Sequence, residues 1–130
     1  GGRSNPKELP MQYLILIYAD ERVYQTMTQE ETLAMLAGYT RFSDDLRSKG
    51  AHLGGNRLTY VGNASTVRVR GGRAQVTDGP FAETKEQLGG YFLVEAEGLD
   101  AALEWARQVP CAVRGSIEVR PVWSMPAGPA

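Results

Sequence analysis

Between Thr77 and Phe92 the chain gathers an acid, a hydroxyl, a base and a glycine pair in sixteen residues, where the backbone has to turn sharply. Asp78 is the first candidate for chemistry. It ends an expected hairpin strand, from which a carboxylate can enter a cleft, and burial or a second carboxylate would raise its pKa towards the range useful in general acid–base work. The competing reading is local: Asp before Gly is a favoured turn pair whose side chain bonds its own backbone two residues on, while Pro80 holds Gly79 extended. His52 is the only histidine, the one side chain that titrates near neutrality when unperturbed. It follows the Gly50 helix stop at a strand entrance, where it is either a rim residue or a catalytic partner that meets Asp78 across a dimer. Glu83, Thr84 and Lys85 make either a solvated lid or an anchor in which Lys85 pairs with Asp78 or with a substrate anion. In the second case Gly89 and Gly90 serve as the hinge.

Arg57 and Arg68 are the cationic candidates for holding an anionic ligand. Arg68 shares one face of a hairpin with Arg70 and Arg73, where such charges either bind an anion or keep an edge strand from pairing with other chains. Tyr91, with Tyr18 and Tyr60, offers a pocket hydroxyl or a core ring with a satisfied tip. There is no Ser-His-Asp order, no glycine-rich phosphate loop before a helix and no credible zinc set with one histidine and one cysteine, so no metal or cofactor is expected. Cys111 reads as a small buried hydrophobe. Trp105 lies away from Leu103 and Ala106 on its helix and is expected to mark a contact surface.

The elements that position these residues fit one domain. At 130 residues the chain can bury roughly two thirds of its unfolded surface, and 42% hydrophobic with 22% charged residues is ordinary for a globular domain. A formal net charge of -1 gives no broad attraction to nucleic acid. The longest apolar run, Tyr13 to Ala19, is too short to span a bilayer. A lone cysteine allows no internal disulfide, and with no signal peptide before the first strand the natural reading is a reducing cytoplasm. Residues 1–10 read as a leader or an appended remnant, residues 11–123 as the domain, and residues 124–130 as a loose tail.

Tyr13 to Tyr18 is apolar on both alternating faces, as in a strand covered on both sides. Thr28 and Glu31 form a capping box, and Thr32, Met35, Leu36, Tyr39, Phe42, Ser43 and Leu46 share one face of a helix to about Lys49. Glu30, Arg41, Asp44 and Asp45 fall opposite, towards solvent. A strand from about Ala51 to Tyr60 is bent at Gly54-Gly55. In Thr66 to Thr77, a turn at Gly71-Gly72 sets Arg70 opposite Arg73 and Val67 opposite Val76, with Val67, Val69, Ala74 and Val76 on a buried face. Tyr91 to Ala96 is a further strand, Asp100 caps a helix to about Gln108, and Ser116 to Val122 is the last strand. Without the hairpin the order is βαββαβ, an α+β, ferredoxin-like sheet with helices on one face. A homodimer packing sheet on sheet would cover the second apolar face of the first strand.

The segment from Thr77 to Phe92 resembles the signature of the DGPF-domain proteins, a branch of the YCII-related family, and from about Met11 to about Trp123 the chain follows that family's pattern. The resemblance implies a ferredoxin-like domain with an inserted β-hairpin, assembled as a dimeric α+β barrel with a cleft beside the signature. Relatives outside this branch are thought to pair an acid with a histidine, which makes Asp78 the analogue, and Glu83, Thr84 and Lys85 match the signature. Many relatives carry an acid after the double glycine, where this chain has Asn56. Two functions are compatible with the resemblance. One is a cofactor-free acid–base enzyme of isomerase, lyase or hydrolase type acting on a small, anionic molecule. The other is a noncatalytic ligand-sensing or protein-interaction module linked to sigma-factor transcription control, since DGPF-domain proteins tend to be associated with extracytoplasmic-function sigma factors. Neither involves direct contact with nucleic acid or membrane.

Overall fold

The computed structural model describes residues 11–123; the expected leader and tail lie outside them. In chain order the elements are β1 (Met11–Ala19), α1 (Glu21–Gln25), α2 (Gln29–Ser48), β2 (His52–Arg57), β3 (Ser65–Arg70), β4 (Arg73–Asp78), β5 (Gln87–Ala96), α3 (Leu99–Arg107) and β6 (Ser116–Pro121). Short 3-10 turns follow β2, at Val61–Asn63, and α3, at Pro110–Val113.

A four-stranded antiparallel sheet has the order β2-β5-β1-β6, while β3 and β4 pair only with each other. Setting aside α1, β3 and β4, the chain runs βαββαβ with β5 and β1 central, an arrangement compatible with a ferredoxin-like α+β fold. The core lies between the sheet and the helices. Tyr13, Ile15, Ile17 and Ala19 of β1 pack with Val94 and Ala96 of β5, Phe42 and Leu46 of α2, Ala102 of α3 and Cys111. Phe42 meets Phe92 edge-on at 5.0 Å and Trp105 at 6.1 Å between ring centroids. The opposite face of the sheet carries Leu14, Leu16 and Tyr18 beside Leu93, Tyr91 and Leu88.

Local sequence explains α2 well. Its capping box is complete: the Glu31 backbone N–H donates to the Thr28 hydroxyl at 3.1 Å, and the Thr28 N–H donates to the Glu31 carboxylate at 2.9 Å. Met35, Phe42 and Leu46 are buried, and Glu30, Arg41, Asp44 and Asp45 are exposed, as the helical period requires. Gly50 follows with φ +68.

Several expectations need correction. The β3–β4 ladder keeps the expected register, from Thr66 opposite Thr77 to Arg70 opposite Arg73, but its apolar face is uncovered in one chain. Val67, Val69 and Val76 are 60%, 59% and 67% exposed, because alternation fixes which side of a ribbon is apolar and not whether anything packs on it. Asp100 lies in the first turn of α3, whose N-cap is Gly98, with no side-chain cap bond. β5 begins at Gln87, so Gly89 and Gly90 are strand residues, Gly90 with ladder partners on both sides, and no loop hinge forms there. The tyrosines Tyr18, Tyr60 and Tyr91 are not core rings: Tyr60 is exposed, and the hydroxyl of Tyr18 donates to Glu118 at 3.3 Å on the face away from the helices. Trp105 is half-buried against Phe42, with the Lys49 ammonium 5.5 Å from its ring, and marks no open contact surface. Helix α1, capped by Asp20, had no apolar period long enough to announce it.

Candidate functional site

Two irregularities in the ladders decide which side chains meet. On β2, His52 lies opposite Val94 and Gly54 opposite Leu93, so Leu53 is an extra residue. Val94, Phe92 and Gly90 pair in turn with the core-facing Tyr13, Ile15 and Ile17, so their β2 partners His52, Gly55 and Arg57 share the helix side. Residues five apart would point to opposite faces of a regular strand; the extra residue brings His52 and Arg57 to the same one. On β5, Gly90 lies opposite Ile17 and Leu88 opposite Tyr18, which leaves Gly89 as a second extra residue and places Gln87, opposite Ala19, on the helix side.

Between this part of the sheet and α2 lies a cavity of 480 Å³, within the roughly 300–1,000 Å³ usual for small-molecule sites. Its floor is low because Gly55, Gly90 and Ala19 carry little or no side chain. A Cβ at Gly55 would stand 2.8 Å from the Phe92 ring, and one at Gly90 would stand 3.0 Å from the Asn56 carbonyl oxygen. The Tyr39 and Phe92 rings are nearly parallel, 12° apart with centroids 6.4 Å apart, and His52 meets Phe92 edge-on at 6.2 Å. Met35, Leu36 and Ile17 complete an apolar wall.

The polar groups sit at the margins. The Tyr24 hydroxyl lies 2.9 Å from the Cys111 Sγ, with either group able to donate. Burial, then the adjoining Cys111, pushes the Tyr24 and Tyr39 phenols above their ordinary pKa, and the Arg57 charge draws both partly back. Both rings are therefore neutral hydroxyls near neutral pH. Glu21 accepts the Val61 N–H at 2.9 Å on its carboxylate and donates its own backbone N–H to the Gln87 side-chain oxygen at 3.0 Å, which fastens α1 to the cavity rim. The Arg57 side chain makes no hydrogen bond or ion pair among the described residues. The arrangement can seat an apolar body, pair a negative group with a guanidinium and two phenol donors, and exchange a proton through an imidazole.

The family model of the YCII-related domain matches residues 11–126. The chain belongs to the YCII-related domain family. It is also 38% identical over 114 residues to an uncharacterized protein of Rhizobium meliloti (strain 1021), covering 86% of this chain and 92% of that relative. No described helix is long and apolar enough to cross a membrane.

In this YCII-related domain the second half of the signature segment, from Gln87 through Gly89 and Gly90 to Phe92, borders the cavity. Of the residues singled out by type and spacing, His52 and Arg57 line it, and so does Tyr91. As the partner of Leu16 and Asn56, Tyr91 turns its ring to the other face, where its hydroxyl accepts the Asn56 side-chain N–H at 3.0 Å. Asp78, Glu83, Thr84, Lys85 and Arg68 do not line the cavity of one chain. Asp78 is exposed opposite Ser65 at the end of the β3–β4 ladder. The turn beside it is held without its side chain: the Gly79 N–H donates to the Ala64 carbonyl at 2.6 Å, and the Thr66 hydroxyl donates to the Gly79 carbonyl at 2.8 Å. The Thr84 hydroxyl donates to the Glu86 carbonyl at 2.7 Å, Lys85 adds its charge near Asp20, and Arg68 donates to the Phe81 carbonyl at 3.2 Å. Glu21, Tyr24 and Gln87 escaped sequence reasoning. Their only signal was membership of an unassigned polar stretch after β1 or of the signature itself.

Proposed function

We propose that the cavity under α2 is a small-molecule site and that the protein performs cofactor-free acid–base chemistry there, of isomerase, lyase or hydrolase type. The observation that carries this reading is the largely apolar cavity lined by the sole imidazole, by a guanidinium with no ion-pair partner among the described residues, and by neutral phenols. His52 is the proton carrier in this reading, because an imidazole ring has one nitrogen that can accept a proton and one that can donate. Arg57 and Tyr39 hold the negative oxygen of the substrate and stabilise charge that grows on it. Asp78, Glu83, Thr84 and Lys85 lie outside the wall of one chain, and in this reading they serve it from the second chain of a homodimer. The half-buried Leu14 and Leu93 and the exposed valines of β3 and β4 supply apolar surface for such an assembly. The DGPF branch assignment and a cytoplasmic setting complete the proposal.

Screening small carboxylic and carbonyl metabolites by amide chemical shifts tests it. Binders should move the Gly90 and Arg57 amides, and Ser43→Trp, which fills the cavity from α2, should abolish their binding. His52→Gln should keep binding and lose turnover of any binder that is converted. Binders that move only β3–β4 amides and ignore Ser43→Trp would remove the cavity from consideration.

A further inference from the structure

The charges and shape of the cavity narrow its ligand class. Arg57 and Arg47 are the cationic side chains among the lining residues, and Glu21 is the only acid among them. Arg47 already pairs with Asp44 at 3.8 Å, both side chains being exposed, and one Glu21 oxygen already accepts the Val61 N–H. That leaves Arg57, with no ion-pair partner, as the cation best placed for a ligand, and a dianion would bring its second charge against Glu21. Arg57 lines the cavity while remaining exposed to solvent, and a carboxylate matches its two-pronged geometry where a neutral group does not. The near-parallel Tyr39 and Phe92 rings and the edge-on His52 favour a flat body over a bulky one. Because Leu53 is an extra residue, His52 and Arg57 lie four ladder positions apart along β2, about 13 Å at about 3.3 Å per residue, so an elongated molecule can reach towards both ends.

Resting on the cavity reading above, we propose that the site takes a planar monoanion, an aromatic or conjugated carboxylate, with its carboxylate on Arg57 and its ring along Tyr39 and Phe92. Tyr39 donates from a hydroxyl that burial keeps protonated.

The test compares 2-naphthoate with its uncharged isostere 2-naphthamide on the full chain, by calorimetry and amide chemical shifts. 2-Naphthoate should bind at least about tenfold more tightly, the scale of one charge-assisted contact, and should move the Arg57 and Gly90 amides. Arg57→Gln should erase that preference and leave naphthamide binding unchanged, while Arg68→Gln on the hairpin should change neither. Equal binding of the two probes in the cavity, or a preference that survives Arg57→Gln, overturns the monoanion class and leaves the cavity site standing. If neither probe moves the cavity amides, the cavity reading fails and this inference with it. A preference lost in Arg68→Gln would assign the anion to the hairpin and overturn the proposal.

Discussion

Asp20 accepts the backbone N–H of Arg22 at 3.0 Å and the Arg22 guanidinium at distances down to 2.6 Å. The Arg22 side-chain and backbone bonds, with a smaller contribution from the Lys85 charge, hold the Asp20 carboxyl at about 2. Because that value is depressed, the cap's contribution to stability is complete above about pH 4 and is lost as the pH falls towards the folded value. Arg22→Gln should raise the Asp20 midpoint by about one unit or more in a proton-detected carboxyl titration; an unmoved midpoint would mean that the pair does not form in solution. Asp78 gives the opposite case. Since its side chain bonds nothing among the described residues, Asp78→Asn and Asp78→Ala should both change unfolding free energy by less than about 0.5 kcal/mol. Any loss of turnover in these variants would then report function and not folding. The type of a residue was legible in the sequence here, and its partner was not: Asp before Gly suggested a self-bonded turn, but Thr66, thirteen positions away, holds that turn.

At the scale of elements, signals confined to one stretch of chain were legible. The capping box of α2 and the pairing across Gly71-Gly72 follow from residues three apart or a two-residue turn, and both glycines take the positive φ such a turn needs, 58 and 75. Thr28→Ala should cost about 1 kcal/mol in denaturant unfolding. Asp100 failed as a cap because Gly98, two residues earlier, takes the position. Phe42 joins α2 to both Phe92 and Trp105 and is 3% exposed, so Phe42→Ala should cost about 3–5 kcal/mol, read as a lower denaturant midpoint at unchanged slope. A cost below about 1 kcal/mol would mean that this three-ring contact is not formed in solution. Neither extra strand residue could be located by local rules alone. The glycine pair at Gly54-Gly55 pointed to a bend within one position of the extra residue Leu53, but the face that β2 shows to α2 depends on pairing with β5.

For the whole molecule, the doubled apolar character of β1 was visible in the sequence, and one side of it is filled by the helices as expected. What covers the other side is an intermolecular question that no intrachain pattern answers. At micromolar concentration, sedimentation should report about 28 kDa, twice 14.2 kDa. Leu93→Arg, on the face away from α2, should give a single chain of unchanged far-ultraviolet dichroism. A wild-type mass of one chain would dismiss the sheet-on-sheet assembly. The extra residues Leu53 and Gly89 carry a further consequence for how such a domain diverges. Deleting Leu53 would leave His52 opposite Val94 and Arg57 opposite Gly90 in an unbroken ladder, and deleting Gly89 would leave Gln87 opposite Ala19, so each of these residues would keep its face. Insertions and deletions of a single codon at these two positions therefore act as silent edits of the binding surface: they change the length of a strand and leave the residues that face the cavity as they are.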